Sequence, residues 1–341
     1  MRIGNIDLNE EILVVAEIGN NHEGSYTLAE ELIGLASEAG AKAVKFQTYV
    51  TEKFVSPLET QRIDQLKRFG LSYTQFEKLK RVADRENIIF LSTPLDVESA
   101  VFLDRLVPAF KISSADNDFF PMIECIANTG KPIIVSSGMT NLMEIGRTKE
   151  FILSVWEKNG VDADNLAVLH CVSSYPTDLY NANLSFINDL RRISSTVGYS
   201  DHTIGIEAAL LSVAMGARII EKHFTVDKKY SAFRDHSISS DPKELKELVQ
   251  GIKHIEAIVG NRKKHLLDCE SSVANAARRS ISAKQDISIG KRIELNDITW
   301  LRPGGGLRVG EERKVIGKVA TRKIKAGQQI RLDDLQETEK D

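Results

Sequence analysis

The chain lacks most of the features that mark secreted, membrane-bound or nucleic-acid-binding proteins. It has three cysteines, Cys125, Cys171 and Cys269, widely spaced and in no CxxC pair. An odd, scattered set argues against a disulfide framework and fits a reducing cytoplasm, with the thiols as packing residues. No apolar run nears the ~20 residues that cross a bilayer. The first residues, Met1-Arg2-Ile3-Gly4-Asn5-Ile6-Asp7, lack the basic and apolar regions of an export signal, so the chain is read as unexported. Charge is balanced: 45 Lys and Arg against 48 Asp and Glu leave a formal -3, with a pI near 6.2. There is no basic footprint for nucleic acid and no polybasic surface for anionic lipid, so the expected partners are small molecules. Neither GxGxxG nor GxxxxGK[ST] occurs, and with them go the phosphate loops of open nucleotide-binding sheets.

What is present is an alternation. Short β-branched runs recur between longer amphipathic stretches: 12–18, 43–46, 88–91, 110–112, 133–135, 166–169, 197–199 and 218–220. The stretch after the first run carries Leu28, Leu32, Leu35 and Ala36 at helical spacing. Eight βα repeats in ~250 residues match a closed (β/α)8 TIM barrel, and an open doubly wound sheet is the alternative. Residues 1–260 are assigned to this barrel.

The run ends are polar. They carry Glu17 with Asn20, Asn21, His22 and Glu23; Lys45 with Gln47; Ser92 and Thr93; Lys111 with Ser113, Ser114 and Asp116; Ser136 and Ser137; His170 with Ser173 and Tyr175; Ser200 with His202; and Glu221, Lys222 and His223. Hydroxyls at such turns commonly cap the next helix. In a barrel, however, all eight ends converge on one mouth. Lys45 and Lys111 with Thr93, Ser114, Ser136 and Ser200 then form a cationic, hydroxyl-rich cradle for a multi-oxygen anion such as a phosphate plus a carboxylate. Each lysine could instead pair with a strand-end carboxylate, or one could be a Schiff-base nucleophile, as in a class I aldolase. His202 and His223 end consecutive parallel strands. Two imidazoles leave a bound ion open to water and substrate, which suits Mn2+ or Mg2+ acting on a carbonyl better than structural zinc.

After Gly260 the pattern changes. Residues 261–279 are polar and basic and read as a linker; residues 280–341 read as a small β-rich domain. Within it Ile287, Gly290, Ile293 and Asp297 recur as Ile324, Gly327, Ile330 and Asp334, each 37 positions on (287 to 324, 290 to 327, 293 to 330, 297 to 334). Each half reads as strand, Gly turn, strand. Between them lies Trp300-Leu301-Arg302-Pro303-Gly304-Gly305-Gly306.

The motifs Asn20-Asn21-His22-Glu23-Gly24, Lys45-Phe46-Gln47, Ser92-Thr93-Pro94, Lys111-Ile112-Ser113-Ser114, Ser136-Ser137-Gly138-Met139, Tyr175-Pro176-Thr177, Gly198-Tyr199-Ser200-Asp201-His202-Thr203, Glu221-Lys222-His223-Phe224-Thr225 and Arg302-Pro303-Gly304 resemble, in order, the sialic acid synthase family. The resemblance implies a (β/α)8 barrel followed by a C-terminal antifreeze-like (SAF) domain. It implies condensation of phosphoenolpyruvate with N-acetylmannosamine, its 6-phosphate or a diacetamido-trideoxy sugar to a nine-carbon 2-keto acid and phosphate. By similarity Lys45, Thr93, Lys111, Ser114, Ser136 and Ser200 would hold phosphoenolpyruvate, and His202 and His223 would hold Mn2+ or Mg2+. Glu23, Gln47, Tyr175 and Asp235 would face the sugar. Arg302 would reach from one subunit into the barrel mouth of another, giving a domain-swapped homodimer.

Physical reasoning agrees with that chemistry. The enol carbon is a modest nucleophile, so the aldehyde needs a metal on its oxygen while the cradle fixes the enol. Water then captures the oxocarbenium-like C2, its proton taken by Glu23 or Asp116. This places Glu23, Lys45, Lys111 and Asp116 as candidate catalytic groups. The segment Glu59 to Leu71, where such enzymes carry sugar contacts, matches poorly. A non-catalytic carbohydrate-binding protein is the remaining class.

Overall fold

The computed structural model describes residues 1–260 and 264–336. The chain divides into two compact units after Gly260. Residues 261–263 of the expected linker and 337–341 of the expected C-terminal domain lie outside the described residues.

The first unit is a (β/α)8 barrel. Its strands are β1 (Leu13–Gly19), β2 (Ala43–Thr48), β3 (Ile89–Pro94), β4 (Phe110–Ile112), β5 (Ile133–Ser136), β6 (Leu166–Cys171), β7 (Thr196–Asp201) and β8 (Ile219–His223). They form one parallel sheet in the order β3-β2-β1-β8-β7-β6-β5-β4; β3 and β4 lie side by side and complete the ring without a continuous ladder. Helices follow where local chemistry starts them. Ser25 accepts from the Leu28 amide to open Tyr26–Glu38, and capping boxes at Ser72/Gln75 and Asn141/Glu144 open Tyr73–Arg85 and Leu142–Asn159.

Period-two alternation sorts each strand. Outward residues such as Val14, Ala16, Val44, Phe90, Val135 and Ile220 pack against the helices in the main core. Inward residues Leu13, Val15, Ala43, Leu91, Ala109, Ile134, Ala167, Leu169 and Ile219 fill the barrel, closed from below by Ile3 and Ile6 of the N-terminal hairpin Arg2–Asp7 and by Leu8 just after it. On β7 the inward position is Gly198. A Cβ there would meet Ile219 O at 2.4 Å and Leu169 Cδ2 at 2.5 Å, so the interior has no room for a side chain.

The second unit reproduces the 37-residue repeat. Strands β9 (Ser280–Ala283) and β10 (Ile298–Leu301) pair antiparallel, as do β11 (Val319–Ala320) and β12 (Leu335–Gln336). Single-turn helices at Leu295–Asp297 and Leu332–Asp334 also stand 37 residues apart. In each, a buried aspartate, Asp297 or Asp334, accepts from the amide three residues before it and from a cation, Lys291 or Arg322. The expected strand after each Gly turn is a correction: Arg292 and Gln329 form only isolated bridges, to Val319 and Ser282. The linker region also departs from expectation, since Ser271–Ala277 is helical. Among the described residues no helix is long and apolar enough to cross a membrane.

Candidate active site

The site is the next inward layer of the barrel. Two positions beyond the interior residues Val15, Ala43, Leu91, Ala109, Ile134, Leu169, Gly198 and Ile219 stand Glu17, Lys45, Thr93, Lys111, Ser136, Cys171, Ser200 and Glu221. All eight line one cavity of ≈ 450 Å³. The strand period thus converts a ring of apolar side chains into a ring of polar ones within one pleat.

Burying a lysine alone costs several kcal/mol, so the two cations need partners. Lys45 Nζ lies 2.9 Å from Glu17 Oε2 and 3.6 Å from Glu221 Oε2, and donates to Thr93 Oγ1 at 3.0 Å. Lys111 Nζ lies 3.7 Å from Glu221 Oε1 and donates to Ser136 Oγ at 2.7 Å. Ser200 Oγ donates to Glu221 Oε1 at 2.8 Å, and Gln47 Nε2 contacts Glu17 Oε1 at 3.4 Å. The pairing of each lysine with a strand-end carboxylate, weighed above as an alternative to the cradle, is therefore present. Burial pushes Glu17 up to about 7, against the pull of Lys45 and with repulsion from Glu221. Glu221 is held low because Lys111 and Lys45 outweigh its burial. Burial lowers Lys111, only partly offset by Glu221; at Lys45 the same burial is outweighed by Glu17 and Glu221, which raise it.

On the β4–β5 side the wall is made of hydroxyls. Ser114 Oγ accepts from the Gly138 amide at 3.1 Å, and Ser113 Oγ donates to Asp116 Oδ2. A Cβ on Gly138 would sit 2.4 Å from Ser173 Oγ and 2.6 Å from Ser114 Oγ, so glycine keeps this corner open. Burial lifts the Asp116 carboxyl above its usual range despite the Ser113 hydrogen bond.

The two imidazoles meet across the top, ring centroids 5.5 Å apart, with Tyr175 4.2 Å from His202. The Val172 carbonyl accepts from His202 Nδ1 at 2.8 Å, which leaves Nε2 as the atom with a free lone pair. His223 Nδ1 is buried and has no hydrogen-bond partner. Burial lowers His223 to about 3, so it stays a neutral donor. Among the described residues no group of three or more His, Cys, Asp or Glu side chains could hold a metal ion, so the donors available here are these two imidazoles. A hard divalent ion that keeps water and substrate oxygens fits them; a closed structural site does not.

A second space of ≈ 810 Å³ adjoins the first and shares Gln47, Tyr175, His223, Arg62 and Arg234 with it. Its outer wall is Gln61, Arg62, Gln65 and Leu66 of the helix Thr60–Phe69, with Phe233 and Asp235 opposite. The segment that matched poorly in sequence therefore lines this cavity.

Of the expected residues, Lys45, Gln47, Thr93, Lys111, Ser114, Asp116, Ser136, Tyr175, Ser200, His202 and His223 share the inner cavity, and Asp235 lines the outer one. Glu23 lines neither; it faces Ser231 and His236. Arg302 belongs to the second unit, where it is exposed just after β10. Sequence reasoning placed Glu17 and Glu221 at the mouth only as possible lysine partners, and missed Cys171 and Arg234. The two-residue step from Val15, Ile219 and Leu169 was the signal available for the first three.

The NeuB family profile matches residues 32–264 and the SAF domain profile residues 278–336. An uncharacterized protein of Methanocaldococcus jannaschii is 42% identical over 318 residues, covering 93% of this chain and 91% of its own. The N,N'-diacetyllegionaminic acid synthase of Campylobacter jejuni is 36% identical over 337 residues, covering 94% and 99%. The crystal structure of N-acetylneuraminic acid synthetase from Leptospira borgpetersenii aligns with a TM-score of 0.74 at 36% identity, covering 80% of this chain and 94% of its own.

Proposed function

This chain belongs to the NeuB family, and we propose that it condenses phosphoenolpyruvate with a 2-acetamido sugar to give a nine-carbon 2-keto acid and inorganic phosphate. The observation that carries this reading is the meeting of Lys45, Lys111 and their hydroxyl partners with two neutral-capable imidazoles at one barrel mouth. Lys45, Lys111, Thr93, Ser114, Ser136 and Ser200 would hold the carboxylate and phosphate. The long contacts of both lysines to Glu221 leave N–H donors that an anion can take up.

His202 and His223 would hold Mn2+ or Mg2+, which when bound supplies Lewis-acid polarisation of the sugar aldehyde. A bond forms between C3 of phosphoenolpyruvate and the aldehyde carbon, and the aldehyde oxygen takes a proton. Glu17, protonated near neutral pH, is the residue assigned to supply it. Water adds at C2, Asp116 takes its proton, and the C–O bond breaks with its electron pair leaving on phosphate. The outer cavity offers amides from Asn20, Gln47, Gln61 and Gln65 beside Phe54, Leu66, Leu95 and Phe233. That mixture suits acetamido groups and their methyls. With the Campylobacter relative's name it supports a diacetamido-trideoxy sugar over N-acetylmannosamine or its 6-phosphate. We further place the chain in the cytoplasm as a domain-swapped homodimer in which Arg302 completes a second copy's site, and expect Arg302→Ala to lower kcat/KM.

The test is phosphate release from phosphoenolpyruvate against a panel of 2-acetamido sugars. Release that needs a sugar, is fastest with the diacetamido sugar, stops with chelator and returns with Mn2+ is expected. No release with any sugar overturns the reading. The lowered Lys111 favours one other possibility, a Schiff-base aldolase, which would instead trap pyruvate on a lysine under borohydride.

A further inference from the structure

Glu23 is the one expected catalytic carboxylate that stands away from the cavity, and its surroundings are built. It sits at φ 47°, a left-handed conformation that costs a non-glycine residue free energy unless the surroundings hold it there. Its Oε1 receives the Ser231 hydroxyl and lies 3.1 Å from His236 Nε2. A carboxylate only accepts, so Nε2 carries the proton and Nδ1, 2.6 Å from Thr225 Oγ1, takes the hydroxyl. The His236 side chain is completely buried, between Tyr230 and Phe233. Ser231 Oγ also accepts from the Phe233 amide at 3.0 Å.

These bonds hold the segment that follows β8. It carries Phe233, Arg234 and Asp235 into the outer cavity, with the Arg234 guanidinium 4.4 Å from the Tyr175 ring centroid. The same turn after β1 meets the third wall. Gly24 packs so closely on Arg68 that a Cβ would lie 2.2 Å from its carbonyl oxygen, and Phe233 stands edge-on to Phe69 at 5.0 Å. Glu23 and its neighbours therefore tie together the three segments that enclose the cavity: the turn after β1, the helix Thr60–Phe69 and the segment after β8.

We propose that Glu23 is a positioning residue which, through His236 and Ser231, clamps the Phe233–Asp235 segment and so sets the shape of the cavity that receives the amino sugar. This rests on the reading of that cavity as the sugar's seat. Glu23→Asn tolerates the left-handed backbone but is too short to reach His236. Glu23→Gln keeps the length and an accepting oxygen. Loss of one buried hydrogen-bond acceptor should raise KM for the amino sugar about tenfold in Glu23→Asn, with KM for phosphoenolpyruvate unchanged and kcat nearly so. Glu23→Gln should recover most of the loss. In the substrate-free protein, amide hydrogen exchange across residues 231–240 should quicken in Glu23→Asn and return towards wild type in Glu23→Gln. Unchanged exchange in Glu23→Asn overturns the clamp. So does a collapse of kcat in both variants with a limb of the pH profile removed, which would make Glu23 the proton-handling carboxylate. The exchange measurement needs no turnover, so the clamp is judged even if the wild-type protein releases no phosphate and the synthase reading fails.

Discussion

Two buried lysine–carboxylate clusters meet back to back on β8, where Glu221 faces into the barrel and Lys222 faces out, and they are assembled differently. On the inner face Lys45 and Lys111 share Glu17 and Glu221 at 2.9, 3.6 and 3.7 Å. On the outer face Lys222 donates to Asp201 Oδ2 at 2.9 Å and to the Thr203 carbonyl, while Asp201 Oδ1 accepts the Thr203 amide at 2.8 Å and the Tyr199 hydroxyl at 3.2 Å. The outer pair has several short bonds and no access to the cavity. The inner cluster has one equally short pair, Lys45 with Glu17, but both lysines reach Glu221 only at 3.6 and 3.7 Å, and it opens on the cavity. A buried ion pair is weak evidence of stability, because desolvation offsets most of the attraction. What separates the clusters is the use left for the charges: the outer one fixes the strand ends that carry His202 and His223, and the inner one can exchange partners with an arriving anion.

The sharpest way to break that contrast is to remove one lysine from each cluster. Lys45→Met deletes a donor from the anion cradle, and losing such a preorganised charge should lower kcat/KM for phosphoenolpyruvate by about 10³-fold. Its cost in stability should be small, since Glu17 already binds a proton readily in the fold. Steady-state phosphate release and urea unfolding on the same preparation check both halves. A variant that keeps its activity would remove the inner cluster from the chemistry.

Lys222→Met should show the opposite balance. It strands Asp201 in the protein interior, and an uncompensated buried charge costs about 3 kcal/mol or more. The unfolding midpoint should fall well below that of Lys45→Met, while the folded fraction keeps most of its turnover at saturating metal. Equal stability of the two variants would show that the clusters are not different in kind.

The eight barrel strands were legible because β-branched runs between amphipathic stretches mark parallel strands, and the observed bounds shift by at most three residues, from 12–18 against Leu13–Gly19 to 88–91 against Ile89–Pro94. The second unit was legible through its repeat; the helix Ser271–Ala277 was not, since its small, exposed residues carry no apolar stripe. Within the mouth, lysines and serines stood out as unusual strand-end residues. Glu17 and Glu221 were seen as strand ends and possible lysine partners, but which pairs form was not legible, because each partner is distant in sequence: 28 residues separate Glu17 from Lys45 on the adjacent strand, and 110 separate Lys111 on β4 from Glu221 on β8, across the barrel. Sheet pairing brings the first pair together, and curling of the sheet into a barrel brings the second face to face. Glu23 drew attention through its motif, yet the turn at Gly19 and the left-handed backbone at Glu23 itself carry it away from the cavity.

The smallest expected effect concerns the proton on Glu17. Burial raises this carboxyl in the folded protein to about 7, whereas in the unfolded chain it titrates near the ordinary ~4.3. Between those values the folded state holds a proton that the unfolded state has released. Stability from this group is therefore fully present below ~4.3 and is lost as pH rises towards 7. Glu17→Gln carries the uncharged form at every pH and should flatten that part of the profile. Urea unfolding of metal-free protein from pH 4.5 to 8, wild type against Glu17→Gln, measures the difference in slope. Identical slopes would mean that Lys45 keeps Glu17 ionised throughout, and the inner cluster would then be as firmly paired as the outer one.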